Sequence, residues 1–266
     1  MQRTNEMGTA VVTGASSGLG EVFAERLAQR GYDLILVARR EERLEKSAKK
    51  LREQYSIEVE NIVADLSAMA DLEKVADAIS GNAKITMLVN NAGTTTLAPF
   101  IGTPVQKQLA MINLNITALT LLSGAILPGF KQRDHGTLIN IGSAIGFHSL
   151  AFTGIYSGTK GYVANFTMGL KEELKDTKVI VQLIAPAAVA TEIYDVGGIP
   201  LSAFDPALVM TIENCVDAAL SGLDQGEHIT LPSVENYQLF KDYDEARLKL
   251  FAATQTGQPA SRYKLS

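Results

Sequence analysis

TAVVTGASSGLG, residues 9–20, is the stretch of sequence that decides the fold. Thr9–Thr13 has strand character, runs directly into a turn with three glycines, and is followed by a helical pattern over Leu19–Arg30. In such a unit the glycines allow a tight reversal, a close approach of the backbone to a pyrophosphate, and close packing of helix on strand. The helix N-terminus then offers unpaired N–H groups to phosphates. The pattern therefore favours a dinucleotide site over an ordinary turn.

Short apolar runs continue to alternate with longer amphipathic segments along the chain. Uninterrupted apolar runs such as Asp33–Ala38 and Val179–Ile184 are typical of strands that are buried on both faces. Six or seven such units predict an α/β, Rossmann-type, doubly wound parallel sheet of about seven strands, flanked by helices in three layers. We expect residues 1–266 to form a single NAD(P)-binding domain. A long loop at about 187–210 is predicted to be a substrate lid.

Composition excludes several classes of function. The chain has 266 residues, 46% of them hydrophobic and 20% charged, which is a globular composition. A net charge of −5 argues against a nucleic-acid partner, because binding phosphate backbones needs a basic face. The single cysteine, Cys215, cannot form an internal disulfide, and the three histidines have no metal-ligand spacing. We expect a cytoplasmic protein with no metal site.

No segment of the sequence favours a membrane. The N-terminus lacks a signal-peptide pattern. The most apolar long window, residues 111–130, is interrupted by Asn113, Asn115 and Pro128. It is therefore predicted to be a buried core helix rather than a membrane span, and no membrane partner is expected.

The end of the second predicted strand bears on the choice of cofactor. NAD-binding folds usually place an acid there to hold the ribose hydroxyls, whereas this chain has Arg39 and Arg40. An acid would repel a 2′-phosphate, while arginine pairs with it through charge-assisted hydrogen bonds. The residues favour NADP(H) over NAD(H) and argue against a methyltransferase. The alternative is that both arginines merely begin the charged helix Glu41–Tyr55.

A tyrosine and a lysine lie one helical turn apart, at Tyr156 and Lys160. A nearby ammonium and an oxidised nicotinamide both favour the phenolate, so we expect the pKa of Tyr156 to be lowered towards the working range. Ser143 follows a predicted strand thirteen residues earlier, where its hydroxyl is placed to bind a substrate oxygen. The second pair at this spacing, Tyr237 and Lys241, has no such serine and is predicted to be a surface pair.

With these motifs in this order, the chain resembles the short-chain dehydrogenase/reductase family, in its short, single-domain, NADP-preferring branch. The resemblance covers nearly the whole length: TGASSGLG (13–20) resembles the cofactor turn, Asp65-Leu66 the adenine contact, NNAG (90–93) the strand-four motif, and residues 186–191 the nicotinamide-carboxamide loop. Ala187 departs from the glycine often found in that loop. The residues that the resemblance assigns to the cofactor are Gly14, Ser16, Ser17, Gly18, Leu19, Gly20, Arg39, Arg40, Asp65, Leu66, Asn91, Ala92, Gly93, Tyr156, Lys160, Val189 and Thr191.

The resemblance implies an NADPH-dependent carbonyl reductase or alcohol dehydrogenase. Its catalytic tetrad would be Asn115, Ser143, Tyr156 and Lys160. Tyr156 would give a proton to the substrate oxygen that Ser143 holds. Lys160 would bind the nicotinamide ribose, and Asn115 would support a water that refills the proton. The resemblance also implies a homodimer or homotetramer.

The expected substrate is a small-molecule carbonyl compound or alcohol. The residues predicted to contact it are Ser143, Phe147, His148, Phe152 and Tyr194. Packing in the core or the lid is an equal alternative for the aromatic residues, and bonding to backbone or water for His148. Two other functions remain open: a non-catalytic NADPH-binding regulator on the same fold, and a nucleotide-sugar epimerase or dehydratase. The tetrad argues against the first, and the lack of a further C-terminal substrate domain in the sequence argues against the second.

Overall fold

The computed structural model describes residues 5–264, and in that range a seven-stranded, all-parallel sheet forms the centre of the fold. The strand order is β3-β2-β1-β4-β5-β6-β7. The strands are β1 (Thr9–Thr13), β2 (Asp33–Ala38), β3 (Val59–Val63), β4 (Ile85–Asn90), β5 (Gly136–Ile141), β6 (Val179–Ile184) and β7 (Ile229–Thr230). The predicted doubly wound, three-layer α/β fold is confirmed. The order reverses between β1 and β4, the switch point beside which such sheets bind ligands.

Helices cover both faces of the sheet because successive side chains of each strand point to opposite faces. Val12 of β1 belongs to one buried apolar cluster and its neighbour Val11 to the other. The helices among the described residues are α1 (Gly18–Gln29), α2 (Glu41–Tyr55), α3 (Met69–Ile79), α4 (Val105–Ile112), α5 (Leu119–Arg133), α6 (Gly154–Glu173), α7 (Ile193–Gly197), α8 (Ile212–Asp224) and α9 (Gln238–Ala253). Helices α1, α2 and α8 contribute to the first cluster, and α3 and α5 to the second.

Helices α4 and α5 form one continuous helical segment, Val105–Arg133, joined by a π-helical turn over Asn113–Ala118. The helical pattern over residues 104–127 predicts an end before Pro128, but the helix continues through the proline to Arg133. The exposed Gly124, one turn earlier, can leave its carbonyl to solvent, while Phe130 beyond the proline is fully buried. Packing of the last turn against the sheet therefore outweighs the local preference of proline.

By length and composition the same segment is apolar enough to cross a membrane, and 39% of its most apolar window is buried. Its buried residues include Leu122, Ile126 and Phe130, which belong to the cluster on the sheet. This packing supports a core helix, and the absence of a membrane partner stays a prediction.

Residues 187–210, predicted as a loop, fold into several short elements. Helix α7 and two 3₁₀ turns, Leu201–Ala203 and Pro206–Leu208, lie within this segment. A parallel bridge between Val189 and Met210 closes it at its base, where the Met210 amide donates to the Ala188 carbonyl at 2.9 Å. The segment is thus an excursion with joined ends, and its role as a lid stays a prediction.

The chain divides into two compact units at residues 232 and 233. The sheet and helices α1–α8 belong to the first unit. The described part of the second unit contains α9, which has no buried residue, and a 3₁₀ turn at Ser261–Tyr263. The expectation of one domain stays a prediction.

Candidate active site

A cavity of about 660 Å³ opens at the carboxyl ends of the central strands. The structure brings most of the predicted site residues onto its wall: Gly14, Ser16, Ser17, Gly18, Leu19, Arg39, Arg40, Asp65, Leu66, Asn91, Ala92, Gly93, Ser143, His148, Phe152, Tyr156, Lys160, Val189, Thr191 and Tyr194. Three predicted residues, Gly20, Asn115 and Phe147, do not line it. Residues that are far apart in the sequence therefore share one site.

The glycine-rich turn has the shape that its glycines were predicted to allow. Gly14 and Gly18 have φ of +67° and +59°, the left-handed region that favours glycine. A Cβ on Gly20 would lie 2.4 Å from the carbonyl oxygen of Gly14, so only glycine fits there. Gly20 thus lies outside the cavity but lets α1 pack closely against the turn.

Two arginines follow β2 at the same end of the cavity. The Arg40 guanidinium donates to the hydroxyls of Ser16, at 3.1 Å, and Ser17. It also donates to Glu192 at 2.9 Å. Arg39 is 70% exposed and lies 3.8 Å from an oxygen of Asp65. Arg40 therefore does more than begin α2: it brings cationic donors back to the glycine-rich turn.

The strand-four motif is tied to the end of β1. The amides of Asn91 and Ala92 both donate to the Thr13 hydroxyl at 2.9 Å. The Asn91 side chain donates to the Thr13 carbonyl at 2.9 Å. The two loops that face the nucleotide end of the cavity thus hold one another in position.

Asn115 lies in the π-helical turn, and its side chain is committed to protein partners. Its amide group donates to the Thr94 carbonyl at 2.9 Å and to the Thr159 hydroxyl at 3.0 Å. Its oxygen accepts from the Thr94 amide at 2.9 Å. Asn115 therefore links the loop after β4 to α6, the helix of Tyr156 and Lys160. Its support of a water stays a prediction.

The reactive groups converge from two elements. Ser143 follows β5, while Tyr156 and Lys160 lie on α6. The Ser143 hydroxyl donates to the Pro186 carbonyl at 3.3 Å and is close enough to Tyr156 to influence the pKa of that phenol. The Lys160 ammonium donates to the Ile141 carbonyl at 2.8 Å and lies 5.9 Å from the centre of the Tyr156 ring.

The pKa of Tyr156 is shifted in the direction opposite to the expectation. Desolvation on the cavity wall raises the pKa of Tyr156 to about 12, although the hydrogen bond with Ser143 opposes the rise. Burial lowers the pKa of Lys160 to about 8. The expected lowering by a nearby ammonium and an oxidised nicotinamide has to overcome desolvation, which is the largest influence on the Tyr156 pKa in the protein itself.

The loop after β6 is not strained by Ala187. Among the described non-glycine residues, positive φ occurs at Ser56, Asp134 and Lys264, so Ala187 keeps an ordinary backbone conformation. Alanine in place of the glycine often found here would be costly only if the loop required a left-handed residue. That cost does not arise.

The other end of the cavity is mostly apolar. His148, Phe152 and Tyr194 line it as predicted, whereas Phe147 is half-buried elsewhere. The sequence analysis missed further residues on this wall, which are Thr95, Leu97, Ile145, Val196 and Phe204. Phe204 packs against Tyr194 with ring centres 4.9 Å apart. Val196 and Phe204 could have been found from the sequence, because they are apolar residues within the predicted substrate lid at 187–210.

Comparison with known proteins gives a consistent result. The family described as short chain dehydrogenase matches residues 8–196. Very-long-chain 3-oxoacyl-CoA reductase-A of Danio rerio is 37% identical over 187 residues, which are 69% of this chain and 58% of that protein. The chain thus spans about three-fifths of the length of the curated relatives that it matches.

Two solved structures cover nearly the whole chain. A short-chain dehydrogenase from Sphingobium yanoikuyae in complex with NADPH has a TM-score of 0.93 and 39% identity, covering 96% of this chain and 100% of that one. The bulky-bulky ketone specific alcohol dehydrogenase from Comamonas testosteroni has a TM-score of 0.88 and 35% identity, covering 98% of this chain and 99% of that one.

Proposed function

This chain belongs to the short-chain dehydrogenase family, and on that premise we propose that it reduces bulky, uncharged ketones with NADPH. It is an oxidoreductase that uses NADP(H) and acts on CH–OH and C=O groups. The preference for bulky ketones is inferred from one observation: the apolar end of the cavity shares its wall with Ser143 and Tyr156.

The nucleotide end of the cavity suits a dinucleotide with a 2′-phosphate. Gly14 lets the turn lie against Asn91 and Ala92, and the turn brings the N-terminus of α1 to the cavity wall, where phosphates would bind. Arg39 and Arg40, with the hydroxyls of Ser16 and Ser17 beside Arg40, supply cationic and neutral donors where an acid would select NAD. These residues would hold the adenosine end of the cofactor.

Proton donation is the task of the chain's own residues. The bound cofactor supplies a hydride to the carbonyl carbon. Ser143 and Tyr156 are placed to hold the carbonyl oxygen, and Tyr156 donates the proton. Because its pKa is raised to about 12, Tyr156 stays protonated at neutral pH, which is the form that reduction needs. Lys160, whose pKa is near 8, is cationic under the same conditions and is available to bind the ribose.

The substrate end supports a large apolar substrate. Three segments supply its walls. They are the loop after β4 with Leu97, the segment after β5 with Ile145 and Phe152, and residues 187–210 with Tyr194 and Phe204. Side chains from three separate segments leave room for groups on both sides of a carbonyl. Polar anchoring at one end of an apolar pocket fixes the orientation of a ligand.

The distribution of charge in the cavity favours an uncharged substrate over an acyl-CoA thioester. Among the described residues of the wall, the charged side chains are Arg39, Arg40, Asp65, Lys160 and Glu192. The arginines and both acids lie at the nucleotide end, and Lys160 is buried below Tyr156. A CoA phosphate at the apolar end would therefore meet no cationic wall residue.

A substrate screen tests the proposal. Initial rates of NADPH and NADH oxidation are measured with diaryl or aryl-alkyl ketones, small ketones and a 3-oxoacyl-CoA. We expect the highest kcat/KM for bulky neutral ketones with NADPH. Preference for the acyl-CoA or for small ketones would contradict the substrate class, and equal use of NADH would contradict the argument from Arg39 and Arg40.

The non-catalytic regulator gives a different result in the same assay. Tight NADPH binding without turnover of any carbonyl compound would favour it. The placement of Ser143 against Tyr156 argues for turnover, because a sensor has no need of a proton donor beside the cofactor.

A further inference from the structure

Glu192, the residue that precedes α7, forms an ion-pair cluster with Arg40 and Arg43 at the nucleotide end of the cavity. One oxygen of Glu192 accepts a hydrogen bond from Arg40 at 2.9 Å, and the other accepts from Arg43 at 2.8 Å. Arg40 also donates to Ser16 and Ser17. The Glu192 carboxylate and the two serine hydroxyls thus form a ring of acceptors around the Arg40 guanidinium.

This ring has the chemistry of an anion site. Hydroxyls and guanidinium groups bind phosphate monoesters. Arg40 and the hydroxyls of Ser16 and Ser17 lie together on the cavity wall, at the end where a 2′-phosphate would bind. Hydrogen bonds from Arg40 and Arg43 lower the pKa of Glu192 to about 2. Glu192 is therefore an anion at every working pH.

We propose that Glu192 sets the affinity for the cofactor's 2′-phosphate by competing with it for Arg40. This inference rests on the proposed use of NADPH. A guanidinium shared with a carboxylate has less donor capacity and less positive potential to offer a phosphate, and the carboxylate repels the phosphate directly. NADH carries an uncharged hydroxyl in place of this phosphate, so the competition should not change the affinity for NADH.

Arg43 gives Glu192 a second partner when Arg40 turns to the phosphate. It lies one helical turn after Arg40 and binds the other carboxylate oxygen, so the start of α7 remains tethered to α2. Glu192 would thereby lower the preference for NADPH, while its bond to Arg43 keeps residues 187–210 attached to α2.

The test is the substitution Glu192→Gln, with Glu73→Gln as the matched control. Glu73 is an exposed acid on α3, outside the cavity, so its replacement makes the same change in net charge. Dissociation constants for NADPH and NADH are measured by fluorescence titration at low and high salt. All three residues of the cluster are about half exposed, so we expect a moderate effect.

We expect Glu192→Gln to lower the Kd for NADPH by about two- to fivefold at low salt, the range that exposed ion pairs produce. The Kd for NADH should match that of the control variant, and high salt should shrink the effect because exposed charges are screened. An unchanged or weaker affinity for NADPH in Glu192→Gln would overturn the inference, since Glu192 would then orient Arg40 for the phosphate or play no part.

The outcome also separates the two proposals. If the wild type prefers NADPH and the substitution leaves that preference unchanged, only the competition is refuted. If the wild type binds neither dinucleotide, the proposed function falls, and the inference falls with it.

Discussion

Lys160 is the residue whose protonation should limit the reaction at high pH. Burial lowers its pKa from an ordinary value of 10.5 to about 8, so the ammonium is lost as pH rises through about 8. Tyr156, with a pKa raised to about 12, keeps its proton over the same interval. We therefore predict that kcat/KM for ketone reduction falls as pH rises through about 8.

The measurement is a pH profile of initial rates from about pH 6 to about pH 11.5, with NADPH and ketone varied. A profile that stays flat to the alkaline end would show that the charge on Lys160 is not needed. A break near the ordinary lysine pKa would show that burial does not shift it.

Gly20 should be irreplaceable for steric reasons alone. An added Cβ would lie 2.4 Å from the Gly14 carbonyl oxygen, so Gly20→Ala must push α1 away from the turn. We expect a loss of about 1–3 kcal/mol in the free energy of unfolding, the usual cost of overpacking. Cofactor binding should also weaken because the turn moves.

The control is Gly169→Ala, in the interior of α6, where an added Cβ meets no atom within 4 Å. That change should stabilise the protein by about 1 kcal/mol, because alanine is the better helix former. Urea denaturation measures both variants. Equal stability of the two variants would contradict the close approach at Gly20.

The sequence predicted which residues lie in the site more readily than it predicted their pKa values and ion-pair partners. Tyr156 and Lys160 are one turn apart on a helix, so their proximity follows from local geometry. Their pKa values depend on desolvation by atoms from other segments, which the spacing does not contain. The pairing of Arg40 with Glu192, 152 positions apart, was missed for the same reason.

At the scale of elements, α5 depends on the burial of its last turn. Phe130 is fully buried, and Gly136 at the start of β5 has no side chain that would clash with its ring. We predict that Phe130→Ala lowers the free energy of unfolding by about 3–5 kcal/mol, as for other buried aromatic residues.

The control for this prediction is Lys131→Ala, an exposed position in the same last turn of α5. Its effect should stay within about 0.5 kcal/mol. Urea denaturation again gives the comparison. If Phe130→Ala cost no more than the control, the segment would not be held by packing on the sheet.

Elements whose form depends on local pattern could be predicted, and those shaped by tertiary packing could not. The bounds of β1, β2, α2 and β6 follow directly from their apolar and charged patterns. Pro128 and the short helices within 187–210 depart from local preference because burial and the Val189–Met210 bridge decide their form.

At the scale of the whole molecule, the fold class follows from repetition of one unit. Crossovers between parallel strands are right-handed as a rule, and a glycine-rich turn after the first strand marks the switch point at which such sheets bind ligands. The class of the fold could therefore be predicted from the sequence pattern, whereas the strand order comes from the structure. The second unit, with α9, is a feature that the pattern did not indicate as separate.

The oligomeric state stays a prediction from the resemblance. We expect sedimentation equilibrium to give two or four times the mass of one chain. Exposed apolar side chains along the α4–α5 segment, such as Val105 and Leu109, are available for such an interface. A single-chain mass at micromolar concentration would contradict the expectation.

The most direct test of the central claim, that Tyr156 is the proton donor beside bound NADPH, is ketone-dependent NADPH oxidation by Tyr156→Phe and Tyr237→Phe. Tyr237 is the matched control because, within the second unit, the ammonium of Lys241 lies 6.0 Å from the centre of its ring at the same four-residue spacing. We predict that Tyr156→Phe lowers kcat by about 10²- to 10⁴-fold, the share typical of general acid catalysis, while its Kd for NADPH and the activity of Tyr237→Phe stay unchanged. Full activity in Tyr156→Phe would contradict the account.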